Sequence, residues 1–303
     1  MEYKKRLFRD LRRNKWLYCM ILPVLLYVFM FCYRPMYGVL IAFENYRPTT
    51  GIWGSEWVGI KHFVRFFDDV NFWRVFKNTF AISFWSILIG FPAPILLALL
   101  LNEIRNNKFK RLVQTVSYMP YFVSLVVICG LIKTFCQSDG LVTDFFVALG
   151  VKRTNLLAGK DWFYFIYVFT DIWQNIGWGS IIYLAALSGI DQEQYEAARV
   201  DGAGRFRQMI SITLPGLLPT ISILFILRMG SILSVGFEKI LLLYSPTTYE
   251  VADVISTYVY RIGILEGSFS YSAAIGLFNS FVNICFLLAA NMMSKKINET
   301  SLF

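Results

Sequence analysis

A polar segment at residues 196–215 separates two very apolar stretches and carries side chains suited to docking. It reads EAARVDGAGRFRQMISITLP, with Glu196 at its start and Gly202 six residues later. A carboxylate such as that of Glu196 can accept a charge-assisted hydrogen bond from a basic residue of another protein. The small side chains that follow leave a flat surface, so we expect close approach of a partner rather than a reaction centre.

Residues that could build a catalytic or metal centre are sparse. The chain has five cysteines, an odd number without close pairs, and one histidine, His62, so neither a disulfide framework nor a zinc site is predicted. Gly159 and Lys160 are followed by Asp161 and lack the glycine spacing of a phosphate-binding loop. We therefore expect no enzyme activity and no cofactor in this chain.

The composition is that of an integral membrane protein. Hydrophobic residues make up 56% of the chain and charged residues 16%, which departs from ordinary globular values. Apolar runs of about 20 residues, the length that spans a bilayer as a helix, occur at 16–33, 79–102, 117–137, 162–187, 217–235 and 271–293. These runs do not alternate as the strands of a membrane barrel would, so they predict helices.

Basic residues set the expected orientation. Lysine and arginine are concentrated before the first run and in the loop after the second, whereas the longer loops on the other side balance acid and base. The positive-inside rule then places both termini in the cytoplasm. The net charge of +9 has this explanation, so no nucleic-acid partner is expected. The amphipathic start, 1–15, is interpreted as a retained interfacial segment.

By this topology the polar segment is cytoplasmic, and its pattern predicts a helix, a turn and a second helix. Residues 191–200 are good helix formers with an acidic first turn. Gly202 and Gly204 can end that helix and allow a sharp turn. An apolar stripe then predicts a second short helix that ends at Pro215.

The segment resembles the EAA loop of permease subunits of binding-protein-dependent ABC importers. It matches that pattern, EAA, three residues, Gly, nine residues and I-x-L-P, without departure. The residues that carry the match include Glu196, Ala197, Ala198, Gly202, Leu214 and Pro215. Segments 55–67, 116–127, 235–246 and 253–264 further resemble the oligosaccharide and polysaccharide permeases of the maltose-permease-like branch.

The resemblance implies an all-α integral membrane protein with six transmembrane helices, the type I ABC importer architecture, and a cytoplasmic EAA coupling helix. The permease domain would be 16–293, with a cytoplasmic tail at 294–303. Implied partners are a second, different permease subunit, two ATPase subunits that use ATP and magnesium, an extracytoplasmic solute-binding protein, a carbohydrate and membrane lipid. A permease homodimer stays open. The implied location is the bacterial inner membrane.

Polar side chains within the spans are candidates for the solute pathway. Asp171 and Arg228 fall near the middle of predicted spans, where a charge needs a partner or water, and they could pair with each other or contact solute. Further candidates are Trp173, Gln174, Asn175, Asn279 and Asn283, while Trp178 extends the aromatic and amide mixture. That mixture suits stacking on sugar rings, but interface aromatics and interhelix amides explain it equally. Lys133 is expected to snorkel.

Two other classes of protein fit part of this pattern. A secondary transporter or channel for a small polar solute needs only six spans and a few buried charges, but it leaves the EAA loop without a purpose. A membrane-embedded enzyme lacks a catalytic constellation. The identity, length and charge of the cargo do not follow from the residues.

Overall fold

The computed structural model describes Asp10, residues 13–298 and Leu302, and this part of the chain is mostly helical. The expected segment 1–15 therefore lies largely outside the described residues, as does part of the tail 294–303. The α-helices are α1 (Lys15–Val28), α2 (Lys61–Asp68), α3 (Val70–Trp85), α4 (Pro92–Glu103), α5 (Asn107–Tyr118), α6 (Leu125–Phe135), α7 (Leu141–Ala148), α8 (Phe163–Ser188), α9 (Gln192–Val200), α10 (Arg205–Gln208), α11 (Leu214–Met229), α12 (Phe237–Leu243), α13 (Tyr249–Ala252), α14 (Ile255–Tyr260) and α15 (Phe269–Asn298).

Wider and tighter helical turns join several of these helices. The π-helical turns are Phe29–Tyr33, Ser86–Gly90, Met209–Thr213 and Arg261–Leu265. The 3₁₀ turns are Arg34–Phe43, Ile52–Gly54, Met119–Phe122, Leu156–Ala158 and Pro246–Thr248. Two short strands, β1 (Glu44–Asn45) and β2 (Glu56–Trp57), pair antiparallel with Glu44 opposite Trp57.

Four continuous helical segments are long and apolar enough to cross a membrane. They are Lys15–Phe43, Val70–Glu103, Arg205–Met229 and Phe269–Lys296. Each overlaps one of the predicted apolar runs, the first, second, fifth and sixth respectively. In the first segment, the most apolar window has no buried residue, so its side chains are free to contact lipid.

The third predicted span is not one straight helix. Segments Asn107–Phe122 and Leu125–Phe135 meet at an angle of 97°. Pro120 begins a 3₁₀ turn there and Val123 adopts an extended conformation, which interrupts the helical hydrogen bonds. The bend was missed because a hydrophobic run reports composition and not the direction of the chain.

The fourth predicted span forms the 26-residue helix α8. It is long enough to cross a bilayer, yet it is not among the segments apolar enough to be assigned as a span. Its middle contains Asp171, Gln174 and Asn175, and these side chains lower the mean hydropathy. A polar stripe on a membrane helix is expected to face protein or a water-filled cavity.

The fifth span begins earlier than the apolar run suggests. The helix Arg205–Met229 continues through Pro215, so the prediction that a short helix ends at this proline is wrong. The wide turn Met209–Thr213 directly before it interrupts the regular hydrogen-bond ladder that the proline cannot join. The helix also ends at Met229, before the end of the predicted run, so Arg228 lies in its last turn and not near the middle of a span.

The chain divides into two compact units. One comprises residues 1–66 and 262–277; within it, the backbone N–H of Tyr46 donates to Ser270 Oγ at 2.8 Å. The other comprises residues 67–261 and 278–303. In this second unit the main core surrounds the N-terminal half of α8, and a smaller core packs α4, α8 and α11 together.

Candidate coupling helix and solute cavity

The polar segment begins with α9, whose start is fixed by Asp191. The Asp191 carboxylate accepts a hydrogen bond from the Glu193 backbone N–H at 3.0 Å, which satisfies a donor that the first turn leaves free. The predicted helix with an acidic first turn is therefore present, at Gln192–Val200.

A sharp turn at Gly202 follows α9. Gly202 has φ +73°, a left-handed conformation in which glycine carries no steric penalty. The Ala203 N–H donates to the Ala198 carbonyl at 2.8 Å, and Gln208 Nε2 donates to the Ala203 carbonyl at 2.6 Å. These hydrogen bonds hold the chain as it reverses into α10.

The two arms of this helix–turn–helix are also braced by side chains. The hydroxyls of Tyr195 and Thr213 lie 3.0 Å apart and share a hydrogen bond. Glu196 is exposed on α9, and two large apolar side chains, Val200 and Phe206, are 88% and 70% exposed. The segment thus presents a carboxylate and two exposed apolar side chains on a stiff support, which suits docking.

A cavity of about 530 Å³, here called the central cavity, lies within the second unit. Its walls come from α3 with the turn after it, α4, α8, α11 and the chain that follows α11. It is lined by Ser83, Ser86, Gly90, Phe91, Pro94, Tyr167, Asp171, Ile172, Asn175, Ile176, Gly179, Ile182, Tyr183, Leu224, Arg228, Ser231, Ile232, Ser234, Val235 and Gly236. Hydroxyls, an amide and two opposite charges make this lining polar for a membrane protein.

Asp171 is held at the cavity wall by neighbours on two helices. Asn175 Nδ2, one turn further along α8, donates to the Asp171 carbonyl at 3.0 Å and to its carboxylate at 3.3 Å. Lys239 Nζ, from α12, lies 3.5 Å from Asp171 Oδ1 and donates to the Tyr167 carbonyl at 3.1 Å. The Lys239 ammonium also lies 4.7 Å from the Tyr167 ring centroid, a cation–π contact.

Lys239, not Arg228, is therefore the ion-pair partner of Asp171, and the suggested pair of Asp171 with Arg228 is not formed. The Lys239 side chain is only 4% exposed, and a buried ammonium requires a counter-charge. Sequence reasoning missed Lys239 because it lies outside the apolar runs. The available signal was a single lysine before four apolar residues, KILLL.

Not all pathway candidates meet at the central cavity. Trp173 instead lines a separate apolar groove with Pro120 and Ile176, because residues two apart on a helix point to different sides. Gln174 is buried. Trp178 stacks on Tyr121, with ring centroids 4.5 Å apart, beside the bend between α5 and α6.

The two asparagines of α15 have different surroundings. Asn283 is buried; its Oδ1 accepts a hydrogen bond from the Leu233 N–H at 2.9 Å, and its Nδ2 donates to Ser234 Oγ at 3.3 Å. It thus holds the chain just after α11. The Asn279 side-chain oxygen is buried without a hydrogen-bond partner in the described part of the chain.

Several other ionisable side chains do not line the central cavity. His62 Nε2 is 3.1 Å from the Glu44 carbonyl oxygen, and burial lowers the pKa of His62. In the loops before α8 and around α13, a hydrogen bond from Lys160 lowers the pKa of Glu250. Among the described residues, no group of three or more histidine, cysteine or acidic side chains is placed to hold a metal ion. Lys133 is exposed in the last turn of α6.

Cysteines are divided between the core and the surface. Cys129 and Cys136 are buried, whereas Cys19, Cys32 and Cys285 are exposed. The buried pair packs as small apolar side chains do.

Comparison with known proteins gives matches over most of the chain. A family model described as "Binding-protein-dependent transport system inner membrane component" matches residues 90–299. The polygalacturonan/rhamnogalacturonan transport system permease protein YteP of Bacillus subtilis is 45% identical over 100% of this chain and 94% of its own length.

Solved structures give the same result. A crystal structure of a bacterial ABC transporter involved in import of the acidic polysaccharide alginate contains a chain that is 44% identical, with TM-score 0.89. The match covers 97% of this chain and 99% of that one. A bacterial alginate ABC transporter in complex with an alginate pentasaccharide-bound periplasmic protein matches with 43% identity and TM-score 0.90, over 98% and 100% of the two chains.

Proposed function

Because this chain belongs to the inner membrane components of binding-protein-dependent transport systems, we propose that it is one transmembrane subunit of an ATP-driven importer of oligosaccharides. It is a multi-pass membrane protein of the ABC permease family. We propose six spans, counting the bent pair α5 and α6 as the third and the polar helix α8 as the fourth. Both termini and the EAA loop would then be cytoplasmic.

The proposed assembly contains a second, different permease subunit, two ATPase subunits and an extracytoplasmic solute-binding protein. ATP and magnesium are used by the ATPase subunits, and this chain carries no nucleotide site of its own. The alginate transporter relative in complex with a sugar-loaded periplasmic protein supports the solute-binding partner. Similarity to sugar permeases supports a carbohydrate as cargo.

The observation that carries this proposal is the exposed helix–turn–helix α9–α10. Its carboxylate at Glu196 and its apolar side chains Val200 and Phe206 lack neighbours that bury them. The second arm continues without a break into the helix Arg205–Met229. A displacement applied at α9 would reach that helix, whose far end lines the central cavity, as rigid-body switching of a transporter requires.

The solute pathway is assigned to the central cavity, with Asp171, Asn175 and Arg228 as its polar contacts. Trp173, Gln174, Asn279 and Asn283 then support the helices around it. We assign docking to Glu196, Ala197 and Ala198, the turn to Gly202, and the junction with the fifth span to Leu214 and Pro215.

The test is to separate ATP hydrolysis from uptake in proteoliposomes that contain the complete importer. Glu196→Lys and Gly202→Asp are each expected to leave membrane insertion intact but to abolish ATP-driven uptake of a panel of labelled trisaccharides while hydrolysis persists. Gly204→Asp is the matched control for the turn, since Gly204 has φ −67° and open space around it. Normal uptake by the Glu196 and Gly202 variants would refute the coupling role.

A secondary transporter or channel for a small polar solute is the second candidate function, because a polar cavity among membrane helices also serves such a protein. It predicts uptake by this chain without ATPase subunits. The permease proposal predicts no uptake until those subunits, ATP and the loaded binding protein are all present.

A further inference from the structure

The lining of the central cavity holds one carboxylate, Asp171, and one cation, Arg228, and Lys239 beside it adds a second cation. Asp171 is the one carboxylate in its lining, and its ion pair with Lys239 at 3.5 Å already uses that negative charge. Lys239 is buried and has further contacts with the carbonyl and ring of Tyr167. This pair is neutral overall and is satisfied by its own surroundings.

Arg228 is left as a surplus cation. It lines the same cavity from the last turn of α11 and makes no ion pair within the described part of the chain. A helix C-terminus favours a positive charge, but this does not occupy the five N–H donors of a guanidinium. In a membrane protein an unpaired cation is expected to face water or an anionic solute.

The shape of this cation narrows the class of solute. A planar guanidinium donates two parallel hydrogen bonds to a carboxylate, a geometry that lysine does not match. The rest of the lining offers hydroxyls at Ser231 and Ser234 and an amide at Asn175, which suit sugar hydroxyls. A volume of about 530 Å³ is within the range of about 300–1,000 Å³ typical of small-molecule sites.

We propose that the imported oligosaccharide is acidic, and that Arg228 binds a sugar carboxylate as the chain passes through the central cavity. This inference rests on the proposed function as a carbohydrate permease. The similar transporter of the acidic polysaccharide alginate agrees with it. The local cause is nevertheless the cavity itself, because Lys239 neutralises its one carboxylate and leaves Arg228 without a counter-charge.

The experiment compares two probes with the same sugar backbone, trigalacturonate and its fully methyl-esterified form, in which each carboxylate is replaced by a neutral methyl ester. Uptake of each is measured in proteoliposomes with the complete importer, and the acid-to-ester uptake ratio is compared between wild type and variants. The binding protein is identical throughout, so a change in this ratio between permease variants reports on the permease. Arg228→Gln is expected to lower the ratio by about tenfold or more, as loss of a charged hydrogen bond does.

Two further variants give the direction of the effect, and a third is the control. Arg228→Lys keeps the positive charge but cannot donate two parallel hydrogen bonds to one carboxylate, so it should lower the ratio less than Arg228→Gln. Asp171→Asn removes the cavity's carboxylate and should raise the ratio. Lys133→Gln, which removes an exposed lysine that does not line the cavity, should leave it unchanged.

The outcomes separate the two proposals. ATP-driven uptake with equal ratios in wild type and Arg228→Gln, or with no preference for the acid in wild type, overturns the inference and leaves the permease function intact. ATP-independent uptake contradicts the proposed function and the inference with it. Failure of the complete importer to take up either probe, when it takes up a neutral member of the trisaccharide panel with ATP, overturns the inference alone.

Discussion

Asp253 is the most completely buried charge in the second unit, with a side chain that is 0% exposed. Its carboxylate accepts hydrogen bonds from Arg261 at 2.6 Å and Arg74 at 3.3 Å, and Thr257 Oγ1 donates to it at 2.8 Å. Asn78 Nδ2 donates to the Asp253 carbonyl at 3.0 Å. Such a group joins α3, α13 and α14 through one side chain.

Asp253→Asn should therefore destabilise the protein strongly. The substitution leaves two guanidinium groups around a neutral amide, and removal of one partner from a buried ion pair costs on the order of 3 kcal/mol, reduced here because both arginines are partly exposed. Thermal unfolding of the purified protein in detergent would measure this loss. Asp144→Asn is the control, because the pair of Asp144 with Arg153 is about half exposed and contributes about 1 kcal/mol or less. Equal effects of the two substitutions would contradict the assignment.

At the scale of elements, the close approach of α8 to α5 depends on one glycine. A β-carbon placed on Gly177 would lie 2.0 Å from the Ser117 carbonyl oxygen, a distance at which the backbone must move. Tyr121 and Trp178 stack close to this crossing. The contact thus fixes the bent pair α5 and α6 against the helix that carries Asp171.

Gly177→Ala is expected to lower stability by about 1–3 kcal/mol, the usual cost of overpacking, and to reduce uptake by displacing α8. Gly130→Ala serves as control, because Gly130 lies in helix α6 with open space around its α-carbon. Alanine there should be neutral or stabilising by up to about 1 kcal/mol. Thermal unfolding of both variants would measure these changes in stability. An unchanged stability of Gly177→Ala would contradict the close helix contact, because it would show that the two helices can accommodate a β-carbon at this position.

Element prediction from the sequence worked where a single physical property decides the outcome. Four apolar runs lie in helices that are apolar enough to span a bilayer, since hydrophobic length is what a membrane selects. The run at 117–137 was predicted as one helical span, and its bend of 97° was not foreseen, because Pro120 alone does not reveal it. The end of the EAA segment was misjudged because a wide turn accommodates Pro215.

At the central cavity, some of the important residues could be identified from the sequence and others could not. Asp171 and Arg228 could be selected from the sequence because a charge in an apolar run is costly and needs an explanation. Lys239 could not, because its importance arises from burial against α8, which depends on tertiary packing. Likewise, Trp173 and Asp171 are close in sequence but lie on different sides of one helix.

For the whole molecule, the orientation in the membrane links the coupling helix to the cavity. In the proposed orientation, the excess of basic residues before the first span and after the second predicts that Glu196 lies in the cytoplasm. The same rule predicts that Lys152, in the loop between α7 and α8, lies on the outer side. Both side chains are exposed, so each position is accessible to a reagent from its own side.

Single cysteines at these positions would test the orientation. The exposed Cys19, Cys32 and Cys285 are first replaced by serine, while Cys129 and Cys136 are buried and stay. In intact cells, a membrane-impermeant maleimide should label Lys152→Cys and not Glu196→Cys; after the membrane is opened, both should react. Labelling of Glu196→Cys in intact cells would place the EAA loop outside, where no ATPase subunit could reach it, and would remove the basis of the coupling proposal whatever the cavity binds.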